Sequence, residues 1–293
     1  MAIRPGARHP IRLSKNMFGQ QPVENCVRQD IVAIIATSSA KITPPALRNK
    51  ISQKYGLTRQ QFKSYLRDLI AAGELTYTYQ YGCTFLQRSF NRPVRISKYV
   101  VIKPPGRQYD ADPDEIVIEI HPGASFGTGE HPSTRLAVKG IEYSLKEIGL
   151  CTESAQTCCL DVGAGSGILL IAALKFGIQK GIAIDIDPCA RAEASENIRR
   201  NGFRKEVQIS GRPADTINRK ISMITANLRY PSLIELCPVF LRLIEPGGLV
   251  ILSGITFEEL AGLIKVYREA SFVCVWQKTE KRWAGVVFKD SKK

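Results

Sequence analysis

Leu160-Asp161-Val162-Gly163-Ala164-Gly165-Ser166-Gly167 is the stretch that decides the fold. An apolar strand-like run enters three alternating glycines and leaves as the helical segment Ile168-Leu-Leu-Ile-Ala-Ala-Leu-Lys175. Gly163 and Gly165 permit positive φ and let a ligand approach the backbone, while the following helix aims its free N–H groups at negative charge. The next strand ends Ile184-Asp185-Ile186-Asp187-Pro188, which puts Asp185 where an acidic side chain accepts hydrogen bonds from ribose hydroxyls.

Working downstream, strand-like and helix-like segments alternate from residue 157 to the end, through GIAIDID, PCARAEASENIRRNG, EVQIS, ISMITANL, PSLIELCPVFLRLI and GGLVILSGI to FEELAGLIKVYREA. SFVCVWQKT and KRWAGVVFKD close the series. Such alternation predicts an α/β fold with a parallel, doubly wound sheet. A dinucleotide fingerprint would space its glycines G-x-G-x-x-G. Here the third glycine comes one residue early, which leaves no room for a pyrophosphate and suits the carboxypropyl chain of S-adenosylmethionine.

The D-x-G-x-G-x-G pattern, with Asp185 closing the next strand, resembles the motifs of Rossmann-like, seven-stranded methyltransferases. Two further segments sharpen the likeness: Pro122-Gly-Ala-Ser-Phe126-Gly127-Thr128-Gly129-Glu-His131-Pro132-Ser133-Thr134 upstream, and Ala226-Asn227-Leu228-Arg229-Tyr230-Pro231 with Ser253-Gly254-Ile255 downstream. Together they resemble the PrmA-type methyltransferases, which methylate lysine and N-terminal amines of a large-subunit ribosomal protein; the resemblance covers about residues 115–290. It implies S-adenosylmethionine as cofactor and contacts to it from Thr134, Gly163, Asp185 and Asn227, with Asp161 and Gly165 of the glycine turn counted among them. Thr128 and its flanking glycines would form a loop over the methionine end. Asn227, whose amide both donates and accepts, would hold the cofactor's ammonium or position an incoming amine. His131 invites the role of general base, but His-Pro at a helix start reads better as structure.

After the fourth strand, enzymes acting on planar nitrogens carry Asn/Asp-Pro-Pro-Tyr/Phe, whose prolines and ring clamp a flat substrate. Here the segment is Asn227-Leu-Arg-Tyr230, which favours a flexible aliphatic amine, so the expected activity is protein-lysine N-methylation. Two other readings stay open on the sequence: an RNA or DNA methyltransferase, and a non-catalytic regulator that senses S-adenosylmethionine and binds nucleic acid.

The N-terminal part departs from the family, whose members begin with a ferredoxin-like domain. Residues 1–22 read as a flexible basic arm, with Pro5, Pro10 and Pro22 and no period. Residues 23–106 read as a winged-helix-like α+β domain of three helices and a hairpin turning near Tyr81-Gly82, and residues 107–293 as the methyltransferase domain. Thr43 and Thr58 are candidate N-caps.

Charge follows that division. The 293 residues carry a formal net charge of +14, and residues 1–107 hold 18 Lys+Arg against 4 Asp+Glu. The remainder holds 23 of each, so the whole excess lies in the first third. An acidic partner is expected there, with nucleic-acid contact through residues 1–107 beside a protein substrate that is ribosomal or RNA-associated. Eight scattered cysteines without a C-x-x-C pair suggest reduced thiols rather than a disulfide framework or zinc site, and no run of about 20 apolar residues suggests a membrane span. A cytoplasmic location is expected on both counts.

Overall fold

The computed structural model describes residues 20–38, 41–80, 82–121, 126–127, 129–150 and 156–291. Most of the expected basic arm lies outside them. The chain separates into two compact units, Met1–Gln87 and Arg88–Lys293.

The first unit contains helices α1 (Gln20–Thr37), α2 (Pro44–Tyr55) and α3 (Arg59–Ala71), then strands β1 (Leu75–Gln80) and β2 (Cys83–Arg88) as a two-stranded sheet. Thr43 caps α2 by accepting from the Ala46 N–H, and Thr58 forms a reciprocal capping box with Gln61 at the start of α3. Val27, Ile31 and Ile35 of α1 meet Leu47 and Ile51 of α2 and Phe62, Leu66 and Leu69 of α3 in one small core. Leu86 of β2 donates its N–H to the Ile42 carbonyl at 2.8 Å, which ties the hairpin to the segment before α2.

The second unit begins earlier than the sequence suggests. Strands β3 (Val94–Arg95), β4 (Val100–Lys103) and β5 (Ile116–Glu119) form a small sheet, and Val94, Val100, Ile102 and Ile118 share a core with the helices of the large domain. The expected boundary after Gly106 therefore moves to Gln87/Arg88. Pro104-Pro105-Gly106 starts the crossover between the parallel strands β4 and β5 rather than a linker between domains.

Helix α4 (Pro132–Lys146) then leads into the seven-stranded sheet. Its strands are β6 (Cys158–Val162), β7 (Lys180–Ile184), β8 (Val207–Ser210), β9 (Ile221–Asn227), β10 (Ile244–Thr256), β11 (Phe272–Glu280) and β12 (Trp283–Asp290), in the spatial order β11-β12-β10-β9-β6-β7-β8. Helices α5 (Ile168–Lys175), α6 (Pro188–Arg200), α7 (Tyr230–Leu243) and α8 (Phe257–Glu269) cover it. Period-two alternation sends Cys159, Met223, Ile251 and Val287 into the core beneath α4, α5 and α6. Cys158, Leu160, Ile224, Val250 and Val286 face the other way, under α7 and α8. Central strands buried on both faces must be apolar throughout, which is why CCLDV and ISMITA read as near-continuous runs.

The sheet is not wholly parallel. β12 runs antiparallel to both β10 and β11. Two strands in succession, with no helix between them, can only fold back on themselves, because a parallel return needs a crossover.

Candidate functional site

The glycine turn lies where β6 ends, at the carboxyl edge of the sheet and beside the point where strand order reverses between β6 and β9. A cleft of about 680 Å³ opens there, lined by Gly163, Ala164 and Gly165, by Asp185 to Asp187 after β7, by Pro213 and Ala214, and by Asn227 and Leu228 after β9. Ser232, Glu235 and Leu236 of α7 close one side and Phe126 and Gly127 another.

The turn has no space for side chains. Gly165 has φ +54, and a Cβ there would collide with the Phe126 carbonyl oxygen. At Gly163, with φ +73, a Cβ would lie 2.6 Å from Cδ2 of Leu228. Both glycines are thus fixed by positive φ and by close approach.

Asp185 holds this turn. Its Oδ2 accepts the Gly165 N–H at 2.9 Å and its Oδ1 accepts the Asp187 N–H at 2.9 Å. The carboxylate is half-buried at the cleft and keeps lone pairs for a second set of donors.

Asn227 ends β9 with its Nδ2 donating to Oγ1 of the fully buried Thr134 at 3.4 Å. The two residues are 93 apart in sequence and are brought together because α4 crosses the sheet ends beside β9. The Asn227 Oδ1 is buried and has no hydrogen-bond partner among the described residues. A buried acceptor left open at a cleft calls for a donor from a ligand.

Asp161 is not among the residues that line the cleft. Alternation puts its side chain with Cys159 on the α4–α5 side of the sheet, where it is fully buried and accepts from the Thr225 hydroxyl at 2.7 Å. Loss of solvent pushes its pKa up to about 7, against the lowering effect of that hydrogen bond. Thr128 lies outside the described residues.

His131 is the N-cap of α4. Its Nδ1 accepts the Ser133 N–H at 3.2 Å, and its ring packs 4.4 Å from Trp283 and 5.1 Å from Phe126, centroid to centroid. Burial and the neighbouring Arg135 drop its pKa to about 4, so it is a neutral capping group near pH 7. The structural reading of His-Pro is the one the geometry supports.

Several residues outside the expected contacts also hold the site. Ser166 donates from its backbone to the Phe126 carbonyl at 3.0 Å and from its hydroxyl to the Gly127 carbonyl at 2.7 Å. Arg135 of α4 donates to the Gly129 carbonyl at 3.0 Å and the Glu130 carbonyl at 2.6 Å, and its other face pairs with Glu280 of β11. Both ends of the Phe126–Glu130 segment are thereby fastened. Buried Asn197 of α6 donates to the Ser166 carbonyl and accepts the His121 N–H, at 2.9 and 3.0 Å. A polar residue among Ala190, Ala194 and Ile198 on the buried face of α6 is the one sequence signal that could have found it.

Comparison with known proteins bears on the same region. The family model described as ribosomal protein L11 methyltransferase (PrmA) matches residues 86–291. A ribosomal protein L11 methyltransferase of Geobacter metallireducens is 35% identical over 196 residues, covering 67% of this chain and 62% of the relative. One from Pelotomaculum thermopropionicum is 33% identical, over 68% of this chain and 62% of that one. The chain thus spans a little under two thirds of the length of these curated relatives. The crystal structure of a ribosomal protein L11 methylase from Lactobacillus delbrueckii subsp. bulgaricus superposes with a TM-score of 0.60 at 29% identity, covering 69% of this chain and 99% of that one. The family match leaves out almost all of the first unit.

Proposed function

The chain belongs to the ribosomal protein L11 methyltransferase (PrmA) family, and from that premise we propose that it transfers methyl groups from S-adenosylmethionine to an amine nitrogen, that of lysine, on a ribosomal protein. The cleft suits the cofactor. Its glycine bed would be filled by any Cβ, Asp185 stands at its rim to accept ribose hydroxyls, and the open Asn227 Oδ1 awaits an N–H donor. Bound there, S-adenosylmethionine supplies an electrophilic methyl group on a sulfonium.

The chain's own part is to hold and orient. Thr134 accepts from the Asn227 Nδ2, which leaves the amide oxygen as the group without a partner among the described residues. That oxygen can accept an N–H of the incoming amine and direct the nitrogen lone pair along the line of transfer. The amine must reach this position neutral, its proton having left to water, for its nitrogen to take the methyl group that S-adenosylmethionine would supply. A lysine has a pKa near 10.4, so less than about 1% is neutral at pH 8, and loss of that proton precedes attack.

Leu228 supports an aliphatic target over a planar base. Its branched side chain rests on Gly163, where enzymes for flat substrates place a proline. The unpartnered buried oxygen of Asn227 is the observation that carries the proposal. We further infer that the first unit recruits the enzyme to RNA-associated material and that the protein works in the cytoplasm; no described helix is long and apolar enough to cross a membrane.

The test is transfer of labelled methyl to ribosomes and to free ribosomal proteins, followed by protease, nuclease and acid hydrolysis. Label recovered as methylated lysine is expected. Nuclease-labile label would identify a nucleic-acid methyltransferase, and no transfer by protein that still binds S-adenosylmethionine would identify a sensor.

A further inference from the structure

We propose that helix α3 and strand β1 of the first unit form a binding face for single-stranded RNA. The proposal deepens the recruitment role stated above and rests on it. Arg59, Lys63 and Arg67 are four residues apart, so they form one exposed stripe along α3. Gln60, Lys63, Ser64, Arg67 and Tyr77 line one groove of about 610 Å³, with Leu66 and Ile70 also at its wall. Tyr77 is 51% and Tyr79 73% exposed, and their spacing of two on β1 puts both on one face of the strand.

Two of the unit's four carboxylates are engaged by other partners than this stripe. Asp30 is bound by Lys54 and Tyr55, and Asp68 by Arg28. Among the described residues no ion pair involves Arg59, Lys63 or Arg67. Cations left without carboxylates attract phosphates, and the charge of the unit points the same way: residues 1–87 hold 12 Lys+Arg and 4 Asp+Glu.

The tyrosines decide which polyanion fits. Two exposed phenol rings beside a cationic groove offer stacking surfaces, and unpaired bases present the π-faces to use them. A duplex keeps its base faces inside the stack, and an acidic peptide has none, so neither would gain from Tyr77 and Tyr79.

Fluorescence anisotropy on the full chain tests this, using a labelled single-stranded RNA of roughly 12 nucleotides, a duplex of the same sequence and a polyglutamate peptide, at about 50 to 200 mM salt. The single strand is expected to bind tightest. K63Q/R67Q should weaken it by ~10-fold or more and flatten the log K against log salt slope by about 1.4, two phosphate contacts' worth. Tyr79→Ala should weaken it by ~5- to 150-fold without changing that slope, and Tyr79→Phe should restore it.

Equal or tighter binding of the duplex or peptide would overturn the proposal. So would an unchanged affinity in Tyr79→Ala, or an unchanged slope in K63Q/R67Q. Methyl transfer to a free ribosomal protein is read separately and should be the same in all these variants. If wild type transfers no methyl but binds RNA as described, the catalytic proposal fails and this one stands.

Discussion

Replacing Asp185 by Asn asks whether one carboxylate has two duties. In the structure both of its oxygens accept backbone N–H groups, from Gly165 and from Asp187, each at 2.9 Å. Asn has the same shape but only one oxygen, so its amide nitrogen must face one of those N–H donors whichever way it turns. One hydrogen bond to a charged acceptor is lost, worth about 1.5–3 kcal/mol, and the half-buried position argues for the lower end. At roughly 2–4 °C per kcal/mol for a domain of this size, the unfolding transition of the second unit should fall by about 3–8 °C without any ligand. The same change removes the charged acceptor for the ribose hydroxyls, so affinity for S-adenosylhomocysteine should drop ~10- to 150-fold. Calorimetric unfolding of ligand-free protein and isothermal titration read the two effects independently. If the transition moved by less than about a degree while affinity collapsed, the carboxylate would not be bracing the glycine turn. If affinity survived while the transition fell, it would not be the ribose acceptor.

Asn227→Ala should lower kcat by ~100-fold and change cofactor affinity by much less, because it removes an orienting acceptor; single-turnover and titration measurements separate the two. Glu280→Gln removes the anion that holds Arg135 against the Gly129 and Glu130 carbonyls, so KM for S-adenosylmethionine should rise ~5-fold with kcat less affected, as steady-state kinetics would show. His131 has a folded pKa of about 4 against roughly 6.5 unfolded, so between those values the unfolded chain binds a proton that the folded chain refuses. Stability from this group is therefore intact above pH 6.5 and is lost as pH falls toward 4, by at most about 3 kcal/mol. Buried Asp161 titrates in the opposite sense, so the comparison is with H131N, which keeps a capping side chain and should flatten that part of the denaturation profile. With neutral amine as the reacting form, kcat/KM for the protein substrate should climb nearly tenfold per pH unit between about pH 7 and 9; a flat profile would reveal a base in the site.

What could be read from the sequence was local. The glycine turn, the acidic end of β7 and the threonine caps all depend on residues a few positions apart, and their geometry follows from spacing alone. The features that escaped it join distant segments. Arg135 meets Glu280 across 145 residues, and Asn197 meets His121 across 76. Asp161 sits inside a motif, yet its buried partner is the Thr225 hydroxyl, 64 residues further on. The β11–β12 hairpin escaped for another reason. Its turn uses Lys281 and Arg282 at φ +48 and +69, where a glycine or asparagine would have announced it.

The boundary at Arg88 changes what the charge means. Arg88, Arg92, Arg95, Lys98, Lys103 and Arg107 belong to the second unit, which then carries 29 Lys+Arg against 23 Asp+Glu and is itself basic. Part of that charge is internal to the fold. Arg95 pairs with Glu115, and Lys103 with Glu119 at 2.8 Å, so these two cations brace the small sheet instead of reaching for a partner. In the first unit the two fixed carboxylates are spent on α1 and α2 contacts, and the α3 stripe faces solvent uncompensated. Net charge alone cannot separate these cases, since a paired and an unpaired lysine count alike. Attraction for a polyanion depends on which cations lack a carboxylate, and among the described residues the α3 stripe is one exposed group of cations in no ion pair.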